Sequence, residues 1–161
     1  MRRRFLSPLF IFIAVVAIPV TANTLVVAKV SSGNLIEFEG GFAVHLAGVS
    51  VPGPDTPIGR QAHAVVKQRI EGKRVAVFTW TTDNTAAGIV HGEDGLAFAK
   101  IVYGPGLSEK GSGTDIAAEL LELGYARVNP QLLPDGCEHY RDIERRAKQQ
   151  NLGLWSVGIQ P

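Results

Sequence analysis

The chain has 161 residues, 45% hydrophobic and 19% charged, which suffices for one domain with its own core and is too short for a repeat or many-domain architecture. Its single cysteine, Cys137, excludes an internal disulfide framework and any zinc site built from two or more thiolates. A formal charge of +1 argues against a strongly basic nucleic-acid binder, though it leaves room for a local basic patch.

The first segment reads as a targeting signal. Arg2-Arg3-Arg4 precede an apolar run from Leu9 to Val20, and Val20-Thr21-Ala22 supply small residues for cleavage. Twelve helical residues would reach ~18 Å, short of the ~30 Å hydrocarbon layer, and Pro19 favours an extended cleavage region. The expected organisation is a signal peptide over 1–22 and one domain over 23–161, exported to the periplasm or secreted, with no stable membrane association after cleavage. Loss of the three arginines leaves 13 basic against 15 acidic residues, a net −2. Positive charge therefore belongs to export more than to a nucleic-acid partner.

The mature chain opens with an apolar, β-branched strand over Thr24–Val30, broken by Ser31-Ser32-Gly33-Asn34. Alternation resumes over Leu35–Glu39 and, after Gly40-Gly41, over Phe42–Val49. Linkers this short join antiparallel neighbours, so the three form a meander. A helix follows over Pro57–Glu71, with Thr56 at its N-cap, Pro57 at its first position and Gly72 beyond its end. Ile58, Ala62, Val65, Val66 and Ile70 share one face of it. Strands are expected over Lys73–Trp80 and Leu96–Tyr103, separated by a polar stretch, and Gly104 to Gly113 forms a loop. Thr114 is placed to cap a helix over Asp115–Leu123, and a last helix runs from about Glu138 to Gln150. Five short strands and three helices make an α+β layout, and a small closed barrel protects the strand edges.

The residues along this layout resemble the staphylococcal-nuclease-like family. Val30-Ser31-Ser32-Gly33-Asn34-Leu35-Ile36 is similar to its V-x-D-G-D-T-[IL], and His45-Leu46-Ala47-Gly48-Val49-Ser50-Val51-Pro52-Gly53 to its R-L-x-G-[IV]-D-x-P-E. Gly59 and Ala62 fall at small positions of its first helix. Gly124-Tyr125-Ala126-Arg127-Val128 resembles G-x-A-x-V, while Glu144 with Ala147 and Gly153-Leu154-Trp155 match E-x-x-A and G-L-W. The resemblance covers about Thr24 to Ser156 and implies a five-stranded OB-type β-barrel with three α-helices.

What it implies about chemistry is subtraction. The family's enzymes cleave phosphodiesters with a calcium ion held by two aspartates and a backbone carbonyl, a glutamate acting on water, and two arginines clamping phosphate. Asn34 stands at the first aspartate position, His45 at the first arginine, Ser50 at the second aspartate and Gly53 at the glutamate. Val51 keeps the carbonyl, as any residue would, and Leu96 falls near the second arginine. A neutral amide, a hydroxyl and a bare glycine are poor substitutes where a hard cation wants anionic oxygen and hydrolysis wants a base. The expectation is a thermonuclease-type domain without metal or other cofactor, serving as a binding or structural module for an unidentified ligand in the OB cleft. The alternative is a weak, calcium-dependent endonuclease using Asn34, His45 and a residual site of Asp55, Glu93 and Asp94.

The remaining candidates have plain structural readings. Asp55 sits beside Thr56 as a helix cap, and Glu93-Asp94 as a solvated loop pair. His63 and His91 lack neighbours at metal-ligand spacing, and Cys137 reads as a small buried residue at a helix start. Arg141, Arg145, Arg146 and Lys148 interleave with Glu138, Asp142 and Glu144 as a solvated helix face, Glu144 pairing Lys148 one turn on. Trp80 and Trp155 read as packing residues, Trp155 tying the C-terminal segment to the barrel or first helix.

Overall fold

A computed structural model describes residues 23–79, 90–107, 112–133 and 137–156; the expectations for Met1–Ala22 and Trp80 lie outside them. The meander forms as its turns dictate. Asn23–Val30 (β1) pairs antiparallel with Leu35–Phe38 (β2), which pairs with Ala43–Leu46 (β3). A register shift between Val27 and Lys29 bends β1, as a bulge does.

The expected strand over Phe42–Val49 is broken. It stops at Leu46, Gly48 takes φ 73°, and Val49–Ser50 (β4) leaves the barrel to pair with Arg127–Val128 (β8). Alternation alone does not foresee this break. A β-carbon at Gly48 would lie 2.9 Å from the Tyr140 ring, so the turn needs both the left-handed conformation and the missing side chain.

The helix Pro57–Ile70 (α1) starts and stops as expected: the Gly59 N–H donates to Thr56 Oγ1 at 3.0 Å, and Gly72 follows its end at φ 72°. Ile58, Ala62, Val66 and Ile70 are buried, while Val65 is only partly so. Arg74–Thr79 (β5) then pairs with β1, and Ala97–Tyr103 (β6) pairs with β5, both antiparallel. A parallel ladder, Val44 opposite Ala97 through Leu46 opposite Ala99, joins β3 to β6 and closes the five-stranded barrel. Val27, Ile36, Phe38, Leu46, Val75 and Ile101 fill it. The described residues thus form the α+β, OB-type fold with three α-helices that the pattern implied.

The second helix starts later than expected. Thr114–Asp115 (β7) pairs with β6, and Asp115 rather than Thr114 caps Ile116–Glu122 (α2), accepting from the N–H groups of Ala117 and Ala118. Its other carboxylate oxygen accepts from the buried Tyr140 hydroxyl at 2.6 Å, which fastens His139–Gln149 (α3) to the cap. Burial, reinforced by Asp115, raises the Tyr140 pKa.

Candidate functional site

The strand ends β3 and β4, the turn after β1 and the segment before β6 converge on a cleft of about 480 Å³, lined among others by Asn34, His45, Ser50, Val51, Glu93 and Asp94. Each arrives for a local reason. In β3 the residues alternate between core and outer face, so Val44 and Leu46 go inward and His45 outward. Its register partners are Leu35 and Phe98, and its ring lies 5.4 Å from that of Phe98.

Asn34 is committed within its own turn. Its side-chain oxygen accepts from Ser32 Oγ at 2.8 Å, while Ser32 Oγ accepts from the Leu35 N–H at 3.1 Å. Ser50 is held by β8 and by the Asn129 side-chain amide, which donates to its hydroxyl at 3.3 Å. The loop before β6 is tightened by Gly92 N–H to Leu96 C=O and Leu96 N–H to Asp94 Oδ1. That turn delivers Asp94 Oδ2 to His45 Nε2 at 2.7 Å. The His45 contact and the Leu96 N–H, in that order, hold the Asp94 carboxyl below its ordinary value. The other ring nitrogen, Nδ1, is buried and has no partner among the described residues.

Leu96, placed by sequence near a phosphate clamp, is not among the residues lining the cleft; Asp94, two positions earlier, is the one that reaches His45. The loop pair Glu93-Asp94 is therefore part of the cleft wall. Asp55 is not, and the capping role expected of it belongs to Thr56. Its backbone carbonyl accepts from Arg60, and its carboxylate occupies the space that a side chain at Gly53 would enter. Gly53 itself uses its carbonyl to accept from both the N–H and the hydroxyl of Thr56.

These donors do not fit a calcium ion. Asn34 and Ser50 offer neutral oxygens already in hydrogen bonds, and Asp94 is committed to His45. Among the described residues no three His, Cys, Asp or Glu side chains gather at metal distance. A site for a hard divalent cation normally assembles six to eight oxygens, several of them anionic.

The other expected residues take structural places. His63 donates to the Val30 carbonyl at 2.9 Å, His91 bridges to Ala97, and Cys137 is buried, its thiol pushed up by desolvation. Glu144 pairs Lys148 at 2.7 Å as expected and, beyond expectation, accepts from the Val128 N–H. Trp155, expected against the barrel or first helix, is half-buried and has two cations near its ring, Arg127 of β8 and Lys148 of α3. Sequence reasoning missed Arg127, which shares with Pro57, Ile58 and Leu154 a second hollow beside the cleft. Positions that far apart in the chain carry no common sequence signal.

A family model described as staphylococcal nuclease homologue matches residues 43–157. The match includes His45, Ser50 and Gly53 and starts after Asn34. A protein of Candida dubliniensis named "Probable endonuclease LCL3" is 26% identical over 125 residues, which cover 71% of this chain and 48% of that protein. The chain thus spans about half the length of that relative.

Proposed function

The chain belongs to the staphylococcal nuclease homologue family, and we propose that it is an exported member whose cleft binds a ligand without metal-dependent phosphodiester hydrolysis. The observation that carries this reading is the His45–Asp94 pair, 2.7 Å apart on the cleft wall. Phosphoryl chemistry needs fixed positive charge where the transition state is negative. Among the described residues lining the cleft, a carboxylate faces the one basic side chain, and Glu93 adds a second. Such a wall repels a polyanion, which disfavours nucleic acid as the ligand.

The magnitudes favour the same reading. A general base is commonly worth ~10²–10⁴ in rate and one charge-stabilising donor ~10²–10³. These factors do not simply multiply, yet Ser50, Gly53 and His45 together remove a ligand, a base and a clamp. Export is supported by the basic start, the short apolar run and the small residues before Asn23. The rival, a weak calcium-dependent endonuclease, draws on the name of the Candida protein and on Asp55 filling the space beside Gly53. Among the described residues lining the cleft it finds no lysine or arginine for the phosphate.

The purified protein, incubated with single-stranded DNA or RNA, should show no calcium-stimulated cleavage above a mock preparation. Calcium should leave its melting temperature unchanged, because a ligand stabilises only a state it binds. EDTA-sensitive cleavage abolished by Asn34→Ala or Asp55→Ala would establish the rival instead.

A further inference from the structure

Ser50 and Val51 form a partition. On one side is the polar cleft; on the other is a hollow of about 480 Å³ with an almost wholly apolar wall of Val51, Pro52, Pro57, Ile58 and Leu154. That size is ordinary for a small-molecule site, and such sites pair an apolar lining with few polar groups. Among the described residues that line it, Arg127 is the one ionised side chain.

Arg127 is poised for a partner. Its guanidinium lies over the Trp155 ring, 5.0 Å from the centroid, and makes no ion pair with a carboxylate among the described residues. A cation–π contact of this kind is made through the face of the guanidinium and uses none of its N–H donors, which stay available to a carboxylate. β8 fixes its position, since Arg127 pairs with Ser50 across the β4–β8 ladder.

A second source of positive potential acts on the same hollow. Helix α1, 14 residues long, begins at its wall with Thr56, Pro57 and Ile58, and its first turn carries no acidic residue. Anions are favoured near a helix N-terminus, though the Asp55 carboxylate, beside Gly53 just ahead of the cap, offsets part of that potential. One cation at the wall matches a single negative charge. The apolar wall rejects a ligand charged along its length, because each further ionised group would be desolvated without a partner.

We propose that this hollow binds a small monoanion with an apolar body, of the class of medium-chain or arylalkyl carboxylates. The carboxylate sits on Arg127 as a charge-assisted, two-pronged hydrogen bond, and the apolar body lies against Ile58 and Leu154. The inference goes beyond the reading of the cleft and does not depend on it: hydrolytic activity in the cleft would overturn that reading and leave this one standing.

The experiment is a titration of the isotope-labelled protein with octanoate, octanamide and octylamine, followed by backbone amide shifts. Octanoate should bind saturably, moving the amides of Val51, Ile58 and Leu154 and leaving those of Glu93 and Asp94 in place. It should bind roughly tenfold more tightly than octanamide, the scale of one hydrogen bond to a charged group, and octylamine should bind most weakly. Arg127→Gln should bring octanoate down to octanamide, while Arg127→Lys keeps part of the preference. Equal binding of the three probes, no saturable binding of octanoate, or shifts confined to the polar cleft would each refute the proposal. The comparison of probes on the unaltered protein stands even if a variant at Arg127 fails to fold.

Discussion

Replacing Gly59 by alanine sets two physical effects against each other. Gly59 lies inside α1, where alanine is the better helix former by about 0.8–1.0 kcal/mol. Helix propensity alone therefore predicts a more stable protein. The tertiary contacts predict the reverse. A β-carbon at position 59 would stand 2.6 Å from both the Gly53 carbonyl carbon and the Pro52 carbonyl oxygen, and nearer still to the Gly53 oxygen. These are backbone atoms, with no side-chain end to swing aside. The Gly53 carbonyl is moreover the acceptor for Thr56 N–H at 3.1 Å and for Thr56 Oγ1 at 2.8 Å. Moving it strains the cap of α1 as well as the loop that borders the cleft. Overpacking costs about 1–3 kcal/mol, and each hydrogen bond weakened adds about 1 kcal/mol. After the propensity gain is subtracted, Gly59→Ala should lose about 2–4 kcal/mol. In urea melts followed by far-ultraviolet circular dichroism the midpoint should fall with an unchanged slope, and the melting temperature should drop by roughly 5–10 °C. A neutral or stabilised variant would mean that residues 52–53 do not press on α1.

Two further perturbations test the supports of the fold. Tyr140→Phe removes the hydroxyl that donates to Asp115 at 2.6 Å in a fully buried position; it should cost about 1.5–3 kcal/mol, as hydrogen bonds to charged groups do, and a loss under about 0.5 kcal/mol in urea would refute the role given to that bond. Glu71 is held below its ordinary pKa first by the Val30 N–H, which it accepts at 3.0 Å, and then by Lys67. A depressed carboxyl contributes stability that is present above the ordinary carboxylate range and is lost as pH falls through its lowered value. Glu71→Gln should therefore melt below the parent protein at pH 7, with the gap closing on acidification below about pH 4; a gap that stays constant down to pH 3 would contradict it.

Much of the barrel was legible because its signals are local. The turn at Gly40-Gly41 leaves β2 and β3 no choice but to pair, and Thr56-Pro57 with Gly72 bracket α1 at both ends. The order of motifs from Val30 to Trp155 was likewise enough for the family. The family resemblance singled out Asn34, His45, Ser50 and Gly53, and the structure brings Asn34, His45 and Ser50 to one cleft. Trp155 was expected against the barrel or first helix; it lies half-buried with Arg127 of β8 and Lys148 of α3 against its ring, partners that only the tertiary structure supplies. The cap on α2 went to Asp115, not Thr114, since Thr114–Asp115 also completes a ladder with β6.

What the sequence determined by itself is whatever neighbouring residues decide: most strand and helix positions, the meander and the caps of α1. Tertiary structure alone decided the parallel β3–β6 closure, the departure of β4 to β8, the meeting of Asp94 with His45 and the hollow beneath Arg127. Asp94 lies 49 residues from His45, and Leu154 lies almost a hundred from Ile58. No propensity or spacing rule spans such distances. These contacts exist because closing the barrel buries more apolar surface than an open sheet would, and the loops must then follow wherever the closed strands end.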